Sequence, residues 1–408
     1  MNQETLKKYA AVLTGVGISV QPGDCVSVHC DTESLALARE IVRSCWKAGA
    51  LDVITDIRDK EMGLAFYEEA GDQALEYFPT FRADYLEERL KAKYHQIHVS
   101  SPSLDLMAHI SQDRLQTAQK AQLKATEHLD HYMDAGDIKW TVAACPSERW
   151  AREVFPQLDP DEAMRRLWEV LLQICRIDAD DPVAAWQAHD RSLKGREEWL
   201  DRHDFEYLHY KGPGTDLVCY LAEGHKWIGG SSTTPDGITY MANIPTEELF
   251  TTPHAFKVDG EVRSTMPLSV MGKIVEGFGL TFKEGKVVDY YAQKNGEVIQ
   301  SLLDVDEGAR RLGEAAIVAD SSPVSKSGLL FKSTLFDENA SCHFALGNAY
   351  AEAVRGGEKM TEEERKALGS NKSMIHIDFM VGGPELSITG YKKDGSAHPV
   401  LLNGEWAF

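Results

Sequence analysis

The sequence predicts an α/β protein, in which an N-terminal parallel-sheet α/β domain is followed by an α+β domain rich in antiparallel strands. In the first half, short apolar strand patterns alternate with helical patterns, as in sheets whose parallel strands are joined by crossover helices. After Phe205, short β-rich segments alternate with glycine turns, such as those at Gly260 and Gly285, which is typical of antiparallel sheets. A length of 408 residues also favours two domains over one.

The elements of the first half follow from the period of their apolar residues. Predicted helices cover residues 4–13, 34–49, 61–93 and 107–135, and predicted strands cover residues 25–30, 51–57, 96–100 and 140–144. No Gly-x-Gly-x-x-Gly motif opens these helices, which argues against a dinucleotide site. Residues 148–199 are predicted to form a helical connector. We place the domain boundary near Arg202, which gives domains of residues 1–202 and 203–408.

Charge and cysteine content argue against several classes of function. The chain has 43 Lys and Arg against 64 Asp and Glu, a net charge of −21, which repels nucleic acid and anionic lipid, so neither is an expected partner. Seven scattered cysteines without a Cys-x-x-Cys pair indicate reduced thiols. No secretory signal and no apolar run of ~18 residues is visible. We therefore expect a cytoplasmic protein.

Four short segments of the second half concentrate carboxylates and histidines. The first, residues 243–248, has the sequence Asn-Ile-Pro-Thr-Glu-Glu. Pro245 favours an extended or turn entry, Thr246 is able to cap a helix, and Glu247 and Glu248 follow. Taken alone, this pattern is also that of a helix start with Glu in its first turn.

The second segment places Glu314 between Gly313 and the small apolar run of residues 315–318. A carboxylate that enters such a run is more often partly buried than other glutamates, and a buried carboxylate needs a partner such as a metal ion. The alternative is an exposed Glu314 that closes a preceding helix.

The third segment, residues 336–350, predicts a helix that begins near Ala340. His343 and Tyr350 are seven residues apart, so two helical turns place them on one face. Glu338 lies in the preceding loop, from which its carboxylate folds back toward His343. The alternative is an aromatic residue and a histidine that line a core face.

The fourth segment, residues 374–381, alternates as a strand does. Ile377 and Phe379 point one way, and His376 and Asp378 point the other way, so both polar side chains are able to reach one ion. The alternative is an edge strand with a polar outer face.

Together the four segments predict a metal site. Four carboxylates and two histidines suit Zn²⁺, Co²⁺ or Mn²⁺, and more carboxylates than one ion requires indicate a two-metal site. The motifs of serine hydrolases, zinc proteases with His-Glu-x-x-His and P-loop proteins are absent. Cys342 precedes His343, but adjacent residues of a helix point about 100° apart, which argues against a Cys–His dyad.

In these segments the chain resembles the metallo-aminopeptidases typified by aminopeptidase T, AmpS and PepS. The resemblance spans essentially the whole chain and is carried by residues 243–248, 260–268, 312–314, 338–340, His343, Tyr350 and 376–378. It implies an α/β first domain and a catalytic, metal-binding second domain. It also implies a homodimer that releases N-terminal residues, often apolar or bulky ones, from peptides.

The resemblance further implies two divalent ions, Zn²⁺, Co²⁺ or Mg²⁺, with Tyr350 beside them. The implied metal ligands are Glu248, Glu314, Glu338, His343, His376 and Asp378. The spacing to Glu314 favours Glu248 over Glu247 as the ligand. We therefore predict a dinuclear metallo-aminopeptidase, a hydrolase in which Glu247 and Tyr350 are the candidate catalytic residues.

The predicted mechanism uses the two ions to lower the pKa of a shared water, so that a hydroxide forms near neutral pH. Glu314 or Asp378 bridges the ions, and one ion polarises the scissile carbonyl. Glu247 acts as general base, and Tyr350 donates a hydrogen bond to the developing oxyanion. The free α-amine of the substrate binds an ion or a carboxylate, which restricts cleavage to the first peptide bond.

Two other hypotheses are open at this point. The family has a relative that cleaves an aromatic ring as a dioxygenase with one iron, and His343, His376 and Asp378 would supply its two-histidine, one-carboxylate triad. The three further glutamates argue against such a mononuclear site. A non-enzymatic alternative is a structural metal site or an acidic binding module.

Overall fold

The structure is a computed structural model that describes residues 1–103, 105–270 and 273–408. Its helices are α1 Gln3–Val12, α2 Leu35–Lys47, α3 Lys60–Glu69, α4 Asp72–Leu75, α5 Thr80–Lys91, α6 Gln112–Thr126, α7 Asp130–Asp134, α8 Glu148–Val154, α9 Pro160–Ile174, α10 Pro182–His203, α11 Gly296–Leu303, α12 Pro323–Ser327, α13 Thr334–Asp337 and α14 Glu362–Ala367. Its strands are β1 Cys25–Asp31, β2 Asp52–Arg58, β3 His95–Ser100, β4 Trp140–Ala144, β5 Tyr207–Gly212, β6 Thr215–Leu221, β7 Ile228–Gly229, β8 Ser232–Thr233, β9 Thr239–Tyr240, β10 Asn243–Ile244, β11 Leu249–Thr251, β12 Pro253–Arg263, β13 Leu268–Val270, β14 Lys273–Val275, β15 Gly279–Lys283, β16 Lys286–Tyr291, β17 Leu312–Ile317, β18 His343–Gly347, β19 His376–Met380, β20 Ser387–Tyr391, β21 Ala397–Leu402 and β22 Glu405–Trp406.

The chain folds into two compact units, one of residues 1–190 with 231–245 and the other of residues 191–230 with 246–408. Helix α10 contributes its first part to one unit and its last part to the other. The boundary that we predict near Arg202 falls at the end of α10, and the division of the chain into functional domains there stays a prediction. Among the described residues, no helix is both long and apolar enough to cross a membrane.

The first unit is built on a five-stranded sheet in the order β10-β4-β3-β1-β2, whose paired strands all run parallel. This confirms the parallel α/β architecture predicted for the first half. Val26 and Val28 of β1 are fully buried on one face, as their alternation predicts. Ser27 on the other face is buried as well, because β1 lies between β2 and β3 in the middle of the sheet.

The helices of this unit follow the predicted stripes, but two of the predicted helices are divided. The predicted helix of residues 107–135 is divided into α6 and α7, with a 3₁₀ turn between them. Leu37, Ile41 and Cys45 of α2 are spaced by four residues and are fully buried, so they form the face that packs into the core. The long helical pattern of residues 61–93 is divided into α3, α4 and α5. Gly71 and Pro79 immediately precede α4 and α5, and both residue types are unfavourable inside a helix.

The second unit contains two larger antiparallel sheets. The five-stranded sheet has the order β19-β18-β17-β11-β7, and the eight-stranded sheet has the order β16-β15-β12-β6-β5-β20-β21-β22. Both contribute to one apolar core, in which the ring of Tyr210 lies 4.8 Å from that of Phe344, and Phe344 lies 6.1 Å from Phe379. The predicted α+β unit rich in antiparallel strands is thereby confirmed.

The helix that we predict to begin near Ala340 is wrong. Glu338–Ala340 form a single 3₁₀ turn, and His343–Gly347 form β18 between β17 and β19. Both faces of this central strand are buried, so its residues are a short apolar run without the alternation of a half-exposed strand. Such a run does not distinguish a strand from a helix. His343 and Tyr350 therefore share no helical face.

Gly347 ends this strand and allows the close approach of its neighbour. Its φ angle is +106°, and a Cβ atom there would lie 2.1 Å from the carbonyl oxygen of Ile375. Only glycine tolerates both the backbone conformation and the contact. Gly347 therefore serves the pairing of β18 with β19.

A buried ion pair in the first unit joins the segments that lead into β1 and β4. Lys139 Nζ lies 2.6 Å from Asp24 Oδ2, and the Lys139 side chain is 2% exposed. Burial by itself raises the pKa of Asp24. Hydrogen bonds from His95, from the Gln21 N–H and from Lys139 outweigh burial and hold that pKa well below its usual range.

Lys139→Met should destabilise the first unit by about 3 kcal/mol, because the Asp24 carboxylate is left in place without its cation. Since the pKa of Asp24 is depressed in the folded state, this loss is fully present above the unfolded pKa of about 4 and shrinks as the pH falls further. Denaturant unfolding at a series of pH values measures it. Lys91→Met, which removes an exposed pair with Glu87 and Glu88, is the control, and an equal loss in both variants contradicts the prediction.

Candidate metal centre

The register of β17 and β18 places two of the predicted ligands on one face of the five-stranded sheet. In this antiparallel pair, Ala316 lies opposite His343, and Glu314 lies opposite Ala345. Side chains of directly opposite residues point to the same side of a sheet, as do those of residues two apart along one strand. Glu314 and His343 therefore share a face, and the small side chains of Ala316 and Ala345 complete it.

Strand β19 extends this face with two more predicted ligands. Ala345 lies opposite Asp378, and Gly347 lies opposite His376. The structure brings the two polar residues together as the alternation predicts, since His376 Nε2 lies 3.3 Å from Asp378 Oδ1. The residues opposite them on β18 are alanine and glycine, so these two positions of β18 leave room above the strands.

The other face of the same strands packs into the core of the second unit. Cys342, Phe344 and Phe379 are each at most 2% exposed and belong to that core. A slip of one residue would exchange the two faces, so the burial of these side chains fixes the register that assembles the ligands. Cys342 and His343 lie on opposite sides of the sheet, so they form no dyad, although the helical geometry that we used to exclude it is wrong.

Glu248 approaches this face from the segment before β11. Its Oε2 atom lies 3.2 Å from His343 Nε2, and the Glu248 side chain is 12% exposed. The alternative of a helix start is wrong for this segment, because residues 245–248 connect β10 to β11 without a helix.

Five of the six predicted ligands form two overlapping groups. Glu248, Glu314 and His343 make up one group, and Glu314, His376 and Asp378 make up the other, with ligand atoms within 4.8 Å of one another in each. Glu314 Oε2 lies 3.1 Å from His376 Nε2, and Glu314 Oε1 lies 3.9 Å from His343 Nε2. Glu314 thus faces each histidine with a different oxygen.

Backbone carbonyls orient both imidazole rings. His343 Nδ1 lies 3.0 Å from the carbonyl oxygen of Ser341, and His376 Nδ1 lies 2.7 Å from that of Asn348. A carbonyl accepts a hydrogen bond only from a protonated nitrogen, so Nδ1 carries a proton in each ring. This leaves Nε2 of both residues facing the carboxylates, which is the arrangement of histidines that bind metals.

The sixth predicted ligand, Glu338, approaches from the 3₁₀ turn Glu338–Ala340. Burial, followed by the negative charges of Glu248 and Asp378, raises the pKa of Glu338 well above its usual value. Its oxygens belong to neither of the two groups. The charges of Glu248, Asp378 and His343 nevertheless act on its carboxyl group, so Glu338 lies close to the ligands of both groups.

The centre contains an excess of buried negative charge. Burial opposes protonation of the histidines, but a hydrogen bond to Glu248 raises the pKa of His343 to about 10. In the same way, hydrogen bonds to Asp378 and Glu314 raise the pKa of His376 to about 11. Burial also raises the pKa of Glu314 itself. Oxygen and imidazole donors with uncompensated negative charge fit divalent cations such as Zn²⁺, Co²⁺ or Mg²⁺.

Tyr350 lies at the open side of the centre, with 43% of the residue exposed. Its ring centroid is 4.8 Å from that of His376 and 5.7 Å from that of Phe250. Burial of the phenol and the charges of Glu314 and Asp378 raise its pKa above its usual value, so the hydroxyl stays protonated. The structure therefore brings Tyr350 to the ligands, although from a loop and not from a helix.

Glu247 is placed differently from the other predicted residues. It is 8% exposed, and its backbone N–H donates a hydrogen bond to Asn339 Oδ1 at 2.6 Å. Its carboxylate belongs to neither ligand group among the described residues. Its charge acts on Arg196, whose pKa it raises against the larger, opposing effect of burial.

Two residues at the centre are absent from the sequence-based prediction. Phe250 lies two positions after Glu248 and opposite Ala316, so it shares the ligand face. The alternation of a strand at residues 248–250 would have identified it, but we interpreted that segment as a helix start or a turn. Asn339 is fully buried next to Glu338, and no periodic signal marks a single buried amide.

Comparisons with known proteins identify the family of this chain. The model of the family described as thermophilic metalloprotease (M29) matches residues 2–406. Aminopeptidase 2 of Geobacillus stearothermophilus is 39% identical over 406 residues, which cover 100% of this chain and 98% of that protein. Aminopeptidase AmpS of Bacillus subtilis is 40% identical over 405 residues, which cover 99% of each chain.

A solved structure agrees with both units of the fold. Wild-type AmpT from Thermus thermophilus matches with a TM-score of 0.92 and 36% identity, and the match covers 100% of both chains. The fold class and the family resemblance predicted from the sequence are therefore confirmed. On this full-length similarity, the chain belongs to the thermophilic metalloprotease (M29) family.

Proposed function

We propose that this chain is a metal-dependent aminopeptidase that uses two divalent ions to release N-terminal residues from peptides. The ligands we propose are Glu248, Glu314, Glu338, His343, His376 and Asp378. The observation that carries the proposal is the pair of ligand groups that share Glu314, in a chain whose full-length relatives are named aminopeptidases. Those names give no support to the ring-cleaving dioxygenase considered above.

The number of donors supports the proposal of two ions. One ion would be held by Glu248, Glu314 and His343, with Glu338 as a further ligand on the side of Glu248, and the other by Glu314, His376 and Asp378. Glu314 offers one oxygen to each group, which supports Glu314 over Asp378 as the bridging carboxylate. A structural site would saturate its ion with protein ligands, whereas the exposed side at Tyr350 leaves access for a substrate.

The chemistry that two such ions supply when bound is a water of lowered pKa and a polarised scissile carbonyl. We propose that the protonated hydroxyl of Tyr350 donates a hydrogen bond to the oxyanion that develops on that carbonyl. Glu247 stays our candidate general base, on its position next to Glu248. The excess of carboxylates would also attract the positively charged α-amine of a peptide, which restricts cleavage to the first bond.

Phe250 and the ring of Tyr350 form an apolar wall beside the ligands. The two rings meet edge to face. Ala316 of β17 lies opposite Phe250 on one neighbouring strand and opposite His343 on the other, so the three side chains share one face. A substrate bound at the ions would place its first side chain near this wall. We therefore propose a preference for apolar N-terminal residues.

The remaining proposals concern the state of the protein. All seven cysteines are free, and six of them are buried, which supports the proposal of a cytoplasmic protein with reduced thiols. We also propose a homodimer, on the family resemblance. Sedimentation of the purified protein tests this state directly.

Removal of metal should abolish activity. A chelator-treated sample should hydrolyse no aminoacyl amide, and Zn²⁺, Co²⁺ or Mg²⁺ should restore turnover with two ions bound per chain by elemental analysis.

Glu314→Gln and His376→Ala should each lower kcat/KM by more than about 100-fold, because each weakens ion binding. Glu197→Gln changes a partly buried glutamate on α10 as control, and wild-type rates in Glu314→Gln would contradict the proposal.

Tyr350→Phe should lower kcat by roughly 10- to 100-fold with little change in KM, because it removes a donor that acts on the transition state. Bound metal should not change.

Glu247→Gln should lower kcat to a similar extent if Glu247 is the base, and should flatten the acidic limb of the pH–rate profile. A loss confined to KM in either variant contradicts the assigned role.

Phe250→Ala should change the preference for the first residue. We expect kcat/KM for leucine and phenylalanine amides to fall by about 10- to 100-fold, and that for alanine amide to change by less than about 3-fold, because a lost apolar contact matters most for large side chains. Phe256→Ala, in the eight-stranded sheet, is the control. Equal losses for all three substrates would show that Phe250 does not determine specificity.

A further inference from the structure

Asn339 is a fully buried amide that links three separate segments around the ligands. Its Oδ1 atom accepts a hydrogen bond from the backbone N–H of Glu247 at 2.6 Å. Its Nδ2 atom donates to the carbonyl oxygen of Leu335 at 2.9 Å. Its own carbonyl oxygen accepts a hydrogen bond from Ser322 Oγ at 3.0 Å. Both ends of the side chain are therefore fixed.

The two ends of the amide contact segments that carry proposed ligands. Asn339 follows Glu338 directly, and the N–H that it binds belongs to the residue before Glu248. One hydrogen bond thus connects two ligand-bearing segments that are 92 residues apart in sequence. This hydrogen bond directly joins the connection before β11 to the turn Glu338–Ala340.

This link acts against electrostatic repulsion. The carboxyl groups of Glu248 and Glu338 interact electrostatically, so they repel each other whenever both are ionised and no cation lies between them. The loop that carries Glu338 is a single turn and is not held by strand pairing. A hydrogen bond between buried neutral groups keeps the two segments at a fixed separation without adding charge.

The chemistry of the position requires an amide. The side chain must accept one hydrogen bond and donate another, in a site where no part of it is exposed. Aspartate would have no donor for the carbonyl of Leu335 and would add one more carboxylate to a centre that already holds several. Leucine has a similar volume but would leave the Glu247 N–H and the Leu335 carbonyl without this partner.

We propose that Asn339 is a positioning residue that sets the separation of Glu248 and Glu338 and thereby the affinity of the ion held with His343. The inference rests on the proposed two-metal site. It assigns no contact between Asn339 and an ion or a substrate. An ion held by Glu314, His376 and Asp378 would have its ligands on the strands of one sheet, so we expect its affinity to be independent of Asn339.

The test is a titration of Zn²⁺ into metal-free wild-type protein, Asn339→Leu and two further variants, followed by calorimetry. We expect two binding steps in the wild type. In Asn339→Leu, one step should weaken by about 10- to 100-fold, as for other residues that orient metal ligands, and the other step should keep its affinity. Ser322→Ala loosens the same residue more gently and should weaken the same step by a smaller factor.

Thr215→Val is the matched control. Thr215 is also buried, and its Oγ1 atom accepts a hydrogen bond from the Arg263 N–H at 3.1 Å in the eight-stranded sheet. It should leave both binding steps unchanged. A general loss of packing would weaken both steps equally or affect Thr215→Val as well, and this would overturn the proposal.

The outcomes separate this inference from the proposed function. If wild-type protein binds two ions and Asn339→Leu and Ser322→Ala bind both with wild-type affinity, Asn339 has no positioning role and the two-metal site stands. If wild-type protein binds no ion or a single ion, the two-metal site fails and the inference is overturned with it. If Asn339→Leu does not fold, the result for Ser322→Ala decides.

Discussion

The position of β18 between β17 and β19 is the constraint on which the rest of the second unit depends. Its register places Glu314, His343, His376 and Asp378 on one face. The same register sends Phe344 and its neighbours into the core on the other face. Because a strand alternates with a period of two, apolar burial on one side decides which polar groups meet on the other. The large apolar core thus stabilises an arrangement of carboxylates that would not assemble by itself.

That arrangement is unfavourable in isolation. Buried carboxylates lose their hydration, and their mutual repulsion is only partly offset by the two histidines, which is why the pKa values of Glu314 and Glu338 are raised. Divalent cations would remove this repulsion, so metal binding and local order are expected to be linked. The centre joins rigid strand positions to two loop positions, Glu248 and Glu338, and Asn339 connects those two loops.

The sequence predicts much of this structure where local periodicity reports burial. Val26 and Val28 alternate as β1 requires, and the alternation of residues 376–379 is by itself enough to place His376 beside Asp378. The buried state of Glu314 follows from the small apolar run after it. Periodicity fails at β18, since a strand buried on both faces has no polar alternation. It also misses Asn339, because a hydrogen bond across 92 residues leaves no local pattern.

Anomalous diffraction from crystals of the zinc-loaded protein tests the proposed two-metal centre most directly. We expect two anomalous peaks above one face of the five-stranded sheet. One should lie between Glu248, Glu314 and His343, the other between Glu314, His376 and Asp378, with Glu314 contacting both. A single peak, or two peaks that share no contact with Glu314, would contradict a dinuclear centre bridged by this carboxylate.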